Sequence, residues 1–334
     1  MRISNRAFLF LLAVLSACGA EKAVAPPAAP PHLKASLNLG TVGATELYWS
    51  TANAINDSGV VVGYAELSRG DRPRPVEWTP PDYHVTVLPD DGSGFPLVNA
   101  IGRDGTVAGS ICDSLVTHCR PVYWRDGVLH HLAGFGSVRD VCSCDGHTLV
   151  GRTTVNGQDH ATIWEDDIPI EVAPPDGYVS AGFSGVAHGY IIGNAYTHTE
   201  ETGRRNVTSY RWSPTSGWVQ LLKEVLVYDV NSRGSVLGGS ELIWFDGSDI
   251  PQGLGSEGFP TAINDSNVVA GPCGPDPSGA AIEFLPCEWS AALGWHAIGQ
   301  EPLFDVRGIN NSNAAVGEIF DVEQNRSFAM LWRP

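Results

Sequence analysis

The chain has 334 residues and a formal charge of −17, with 37 Asp and Glu against 20 Lys and Arg. Gly and Pro make up about 18% of it, against an ordinary level of about 12%. The acidic balance excludes a general nucleic-acid binder, whose affinity comes largely from neutralising phosphates. The Gly and Pro content excludes a long-helix or coiled-coil protein, and 43% hydrophobic residues with ten Trp exclude a disordered chain. What remains is a large, loop-rich, all-β protein with ample length to bury a core.

The first segment reads as an address. Arg2 and Arg6 flank the start of an uninterrupted apolar run, Ala7 to Leu15, as in a secretory signal. The run is too short for a membrane-spanning helix, which takes about 20 residues. It ends in Leu15-Ser16-Ala17-Cys18, which resembles the bacterial lipobox. The resemblance implies cleavage before Cys18 and acylation on it. Gly19 follows, rather than the Asp that retains such proteins at the inner membrane, which implies outer-membrane sorting in a Gram-negative cell. Residues 1–17 are therefore expected to be a lipoprotein signal peptide. Residues 18–34, with the Ala/Pro-rich stretch from Glu21 to Pro31, are expected to be a spacer. The alternative is an ordinary signal peptide with an incidental Cys.

With Cys18 set aside, six Cys remain in a compartment that permits disulfides. They fall into three local pairs: Cys112 with Cys119, Cys142 with Cys144, and Cys273 with Cys287. The first and third would each clip a hairpin. Cys142-Ser143-Cys144 could close only a tight ring, and a metal site on those two Cys is the competing reading.

One phrase recurs along the body: a short apolar pair, an Asn/Asp/Gly turn, an apolar run ending in Gly, a variable loop, and an apolar strand carrying Trp. Clear copies span Ala54 to Gly63, Ala100 to Gly109, Ala262 to Gly271 and Gly308 to Gly317; weaker ones end at Gly151, Gly193 and Gly238. Each is followed by a Trp, namely Trp78, Trp124, Trp164, Trp212, Trp244, Trp289 and Trp332. The Gly-to-Trp gap varies from 6 to 19 residues while its ends stay fixed, as a hairpin loop between two strands would. The period averages about 42 residues. Repeats of about 40 residues with four short strands are the signature of propeller blades.

The first blade is expected to hold strands Asn53–Asn56, Val60–Glu66, Pro75–Thr79 and His84–Leu88. The Gly of the second strand is expected to let a neighbouring backbone or the Trp ring approach closely. The last copy stops after Trp332 without a fourth strand, while Ala35-Ser36-Leu37-Asn38-Leu39-Gly40 resembles a fourth-strand phrase. The N-terminal strand should therefore complete the last blade. Residues 35–334 are expected to form an all-β, seven-bladed β-propeller of four-stranded blades, and a monomer.

These residues resemble the HAF repeat, a bacterial extracellular family patterned roughly A-x-x-I-N-x-x-G-x-V-V-G, a spacer, then H-A-F-x-W and L-G. The first, sixth and seventh copies match the first half best. In the second half, Arg74-Pro75-Val76, Arg120-Pro121-Val122 and Leu285-Pro286-Cys287 stand where His-Ala-Phe would precede Trp. The chain is thus similar to a divergent member. The resemblance implies a surface or secreted location and a propeller-like fold, and no established reaction.

A search for chemistry finds no catalytic constellation. Gly253-Leu254-Gly255-Ser256-Glu257-Gly258 matches a dinucleotide fingerprint but precedes Phe259-Pro260 and a new blade instead of a helix. Gly182-Phe183-Ser184-Gly185 lacks the last Gly and the context of a nucleophile elbow. No cofactor is expected, although the adjacent carboxylates Asp90 and Asp91 would suit Ca²⁺; the alternative for them is solubility and turn formation. Tyr48 and Trp49, just before the first inner strand, could stack on a sugar, as could Trp218 and Trp295 on outer strands; the alternative for the Trp pair is packing at the blade rim.

Three functions stay open. One is an envelope lipoprotein, anchored to the outer membrane and periplasmic or surface-exposed, whose propeller face binds a ligand, glycan or partner protein. A second is an envelope hydrolase or lyase with carboxylates at the ring axis, marked by clustered acids with shifted pKa. A third is a purely structural component with no concave polar site. The charge argues against anionic partners unless a cation bridges them.

Overall fold

A computed structural model describes residues 33–40, 47–113, 118–142, 144–197, 206–274, 284–301 and 303–334. Cys18, the signal peptide and the spacer up to residue 32 lie outside the described residues, as does Ser143. Within them, seven four-stranded antiparallel sheets form a β-propeller. Blade 1 holds Trp49–Ile55, Val61–Glu66, Arg74–Thr79 and His84–Val87, in that order from axis to rim. Its inner strand starts at Trp49, four residues before the expected Asn53. The correction has a simple cause: polar Ser50, Thr51 and Asn53 break the apolar pattern, yet Ser50 and Thr51 are fully buried and paired with Ala65 and Tyr64.

The ring closes as expected. Ala35–Asn38 pairs antiparallel with Arg326–Arg333, the third strand of the last blade, from Ala35 opposite Arg333 to Asn38 opposite Met330. Without it, the third strand of the last blade would keep an unpaired outer edge.

Each conserved feature of the repeat has a structural task. All seven repeat Trp pack in clusters shared with the preceding blade; Trp78, for instance, meets Val316, Ala329 and Leu331 of blade 7. Trp78, Trp124, Trp164, Trp244 and Trp332 are fully buried. Three of them also donate their indole N–H to the segment entering the blade: Trp78 to Leu39 O, Trp124 to Pro89 O and Trp332 to Glu301 Oε2. The ring supplies apolar area and the polar tip fixes the connection.

The second-strand Gly faces the inner strand of its own blade. A Cβ on Gly63, Gly109, Gly151, Gly271 or Gly317 would lie 1.9–2.1 Å from the carbonyl oxygen of Thr51, Leu97, Ser137, Phe259 or Asp305. The backbone, more than the Trp ring, makes the close approach; only Gly238 also meets its Trp, at 2.8 Å from Trp244. Directly opposite these Gly residues the inner strand shifts register by one residue, between Ala52 and Ala54 in blade 1 and between Val98 and Ala100 in blade 2. The same bulge occurs in blades 3, 4, 5 and 7. Blade 6 has only Ala262–Ile263 as inner strand, with Thr261 at the matching position.

The three disulfides form: Cys112–Cys119, Cys142–Cys144 and Cys273–Cys287. The first joins directly paired residues of neighbouring strands in blade 2. The second joins the two sulfurs that a metal site would have needed, beside Asp145.

Gly109→Ala would drive a methyl group into Leu97 O and should cost about 2–4 kcal/mol of stability. Gly253→Ala, where a Cβ meets nothing within 4 Å, should change it by no more than about 0.5 kcal/mol. Urea unfolding of the two variants checks this; equal midpoints would refute the account of the bulge.

Candidate functional site

A bulge inserts one unpaired residue whose side chain leaves the regular alternation of the strand. Repeated in six blades around an axis, with Thr261 at the matching position of blade 6, it delivers seven side chains to one place. Asn53, Asn99, Arg139, Ser184, Tyr228, Thr261 and Arg307 all line a central cavity of about 260 Å³. This cavity also takes in the Asn-Asp turns at one end of the ring, such as Asn56-Asp57 and Asn264-Asp265. A second cavity, of about 400 Å³, lies toward the other end, over blades 3 to 5. The two share Asn99, Arg139, Ser184 and Tyr228.

Much of the polar lining ties blades together. In the turns, the Asn oxygen accepts backbone N–H groups of its own turn while its amide nitrogen reaches the next blade. Asn310 Oδ1 takes the N–H of Ser312 and Ala314, and its Nδ2 donates to Asn56 O at 3.0 Å. Asn56 donates to Gly102 O, Asn231 to Asn264 O, and Asn264 to Asn310 O. The remaining interfaces use other groups near the axis. Asn99 Nδ2 donates to Val138 O, and Asn194 bonds both N and O of Val227. Asp140 accepts the N–H of Val186 in blade 4. Asx turns account for the Asn-Asp-Ser-Gly signature only in part; the other half is a latch between blades.

Two carboxyl groups in the cavity are far from ordinary. Asp140 Oδ1 and Oδ2 accept the N–H of Val141 and Val186, both at 2.8 Å. Asp229 does the same for Val230 and Ile263, at 2.7 and 2.9 Å. Burial, and then the charge of Asp229, push Asp140 up to about 7. Burial pushes Asp229 up to about 6. By contrast Asp265, in the same cavity, is held below the ordinary value: hydrogen bonds from Ser232 and Asn311 outweigh its burial.

The arginines differ from each other. Arg307 donates to Asn53 Oδ1 at 2.7 Å and meets Asp305 and Glu318, each at 3.2 Å. Burial opposes its charge, but Glu318 and Asp305 raise its pKa on balance. Arg139 has no carboxylate within ion-pair distance among the described residues. Crowding by protein lowers its pKa, and the charge of Arg152 lowers it further.

The site residues read from the sequence do not converge on this channel. Tyr48 lies under the Arg326 guanidinium, and Trp49 packs on Tyr64 with ring centroids 5.3 Å apart. Asp90 is almost fully buried and pairs with Arg72 and Arg74, which fastens a hairpin to the link between blades. Asp91 accepts from Ser93 N and Oγ. None of the four lines either cavity. Trp218 stacks on Phe183 at 5.3 Å and donates to Ala173 O, and Trp295 packs over Gly258, so both serve rim packing. The channel residues lie just outside the repeat phrase, which begins at Ala54, Ala100 and Gly308, one residue after the bulge. The signal was there: a variable residue directly before an invariant phrase.

No protein-family model and no curated protein matches the sequence. Solved structures do match by shape. The β-propeller domain of the Trilobed protease from Pyrococcus furiosus aligns at TM-score 0.58 and 11% identity, over 84% of this chain and 94% of that one. It is described as having an open velcro topology. Pyrococcus horikoshii acylaminoacyl peptidase aligns at TM-score 0.55 and 11% identity, over 85% of this chain. The chain spans about half the length of that peptidase, 51%. Fold and site together define the class: a β-propeller with a polar, water-accessible axis.

Because the folded pKa of Asp140 and Asp229 lies above the ordinary unfolded value, the native state holds more protons than the unfolded chain between about pH 4 and 7. Their contribution is present below pH 4 and is lost as pH rises through about 6 to 7. Asp140→Asn should therefore lose its stability deficit relative to the parent between pH 4 and 8. Paired denaturant titrations check the sign. Carboxyl carbon NMR should show two groups titrating near 6 and 7.

Proposed function

We propose that the protein is a cell-envelope lipoprotein, anchored to the outer membrane through Cys18, whose propeller binds a ligand or partner in its central channel. One observation carries the binding part: a backbone bulge in six of the blades, with Thr261 at the matching position of blade 6, brings seven side chains of five kinds around one cavity. Asn53, Asn99 and Arg307 also tie the ring together, but among the described residues Arg139 has no carboxylate beside it and Ser184 Oγ is buried without a partner, which latching alone does not explain. The lipobox resemblance and the three disulfides support an address outside the cytoplasm. The resemblance to the HAF repeat supports the same location.

A second reading is favoured by Asp140 and Asp229, two carboxyls that titrate near neutrality in the channel, as a general acid and base of a hydrolase or lyase would. Against it, every one of their four oxygens already accepts a backbone N–H. That arrangement suits a latch between blades better than proton transfer.

Two measurements check these readings. Metabolic labelling with palmitate should mark the chain and pellet it with membranes, and Cys18→Ser should abolish both. A pull-down against glycan arrays and envelope extract with the full chain should return a ligand whose capture is lost in Tyr228→Ala and Asn99→Ala but kept in Trp218→Phe. Equal capture by all three variants would place binding outside the channel. Turnover of a glycan or peptide that Asp140→Asn abolishes would favour the second reading.

A further inference from the structure

The repeat supplies its own comparison for Arg139. Arg139 and Arg307 occupy the same bulge position in blades 3 and 7. In blade 7 the residue two before the bulge is Asp305, and its cross-strand partner is Glu318. These two carboxylates neutralise Arg307. In blade 3 the corresponding pair is Ser137 and Arg152. Both acids of the blade 7 arrangement are missing there, and one has become a second cation. Arg152 is itself paired with Asp159 at 2.9 Å, so the pocket holds two guanidiniums against one carboxylate.

The larger cavity lies at this place. Arg139, Arg152 and Asp159 line it together with Asn99, Asn194 and Tyr228. Ser184 also lines it, and its Oγ is buried without a hydrogen-bond partner among the described residues. A buried hydroxyl without a partner forfeits free energy unless something supplies the missing acceptor, and the exposed Arg139 offers the cavity a guanidinium that no carboxylate of the described residues occupies. The same cavity offers apolar surface from Leu226 and the half-exposed ring of Tyr228.

We propose that this cavity binds a small organic carboxylate with an apolar body. Its carboxylate takes the place that Asp305 and Glu318 fill beside Arg307, in bidentate contact with Arg139. Its body lies against Leu226 and Tyr228. At about 400 Å³ the cavity matches a small molecule and excludes a folded partner. The proposal rests on the reading of the channel as a binding site and names the ligand class for it.

The test uses the full chain with its disulfides intact, and phenylacetate, phenylacetamide and inorganic phosphate as probes, followed by calorimetry and by NMR of the Arg side chains. Phenylacetate should bind saturably, more weakly as salt rises. Phenylacetamide, which keeps the body and loses the charge, should bind at least about tenfold more weakly. Arg139→Gln should weaken phenylacetate by about tenfold or more, and Arg139→Lys by less, because Lys keeps the charge without the fork. Arg233→Gln, an exposed Arg paired with Asp246 elsewhere, should leave binding unchanged. Thermal melting of each variant verifies folding, and the Lys variant keeps the test alive if Gln fails to fold. Equal binding of acid and amide would overturn the proposal, as would unchanged binding in both Arg139 variants. So would saturation by phosphate but not phenylacetate, or no binding of phenylacetate at tens of millimolar (about 100-fold weaker than a micromolar-to-millimolar metabolite site). Should a different ligand be captured through Tyr228 and Asn99 with Arg139→Gln unaffected, the channel would remain a binding site and only the carboxylate assignment would fall.

Discussion

Everything at the axis depends on one steric constraint, the close approach of the inner strand to a glycine of the second. At Gly63, Gly109, Gly151, Gly271 and Gly317 a carbonyl oxygen sits where a Cβ would be. That approach lets the inner strand carry an extra residue without losing its pairing on either side. The extra residue is freed from the apolar packing between blades, although Asn53 and Asn99 still bond the backbone of the next blade. This separates two demands that usually compete in a small protein. The Trp, the Gly and the apolar pair serve packing and stay the same. The bulge position faces the channel and carries five residue types across the seven blades: Asn, Arg, Ser, Tyr and Thr.

The ring is held by polar bonds as well as by apolar area. Each of the seven interfaces carries at least one side-chain bond to the backbone of the neighbour close to the axis, from Asn53 to Val98 O through Asn310 to Asn56 O. Such bonds are buried or half-buried, so losing one partner leaves an unsatisfied backbone group. They also set the angle between blades, since a rotation of a few degrees would break them before it uncovered a Trp. The pairing of Ala35–Asn38 with the last blade ties the two ends of the ring in the same way.

The sequence was most legible where the physics is local and repeated. Gly-to-Trp spacing gave the number of blades, and the missing fourth strand after Trp332 gave the mode of closure, which the pairing of Leu37 with Leu331 bears out. The three local Cys pairs were also readable. The site was not, for two reasons. Asn53 and Arg139 look like ordinary polar residues at a strand end, because a bulge leaves no mark in composition. And the channel is assembled from residues more than 250 positions apart, such as Arg307 and Asn53. Asp90 and Asp91 attracted notice by adjacency, yet adjacency in the chain signals a turn more often than a site, and Asp90 proves to be a buried partner of Arg72 and Arg74. Exposed aromatics misled similarly: Trp49 is occupied by Tyr64 and Tyr48 by Arg326.

Net charge illustrates how an average conceals a site. A chain at −17 repels anions at long range, but screening confines that field to about 8–10 Å at ordinary salt. Inside a cavity the nearest charges decide. In blade 7 the Arg at the bulge is surrounded by its own acids and has nothing to offer a ligand. In blade 3 the replacement of those acids by Ser137 and Arg152 reverses the local sign while the backbone stays the same. The acidic exterior then acts as a filter: it disfavours polyanions, whose many charges meet the whole surface, far more than a single carboxylate that reaches Arg139. A repeat protein can thus acquire a site by subtraction, by leaving out in one blade the residues that neutralise their neighbour in another.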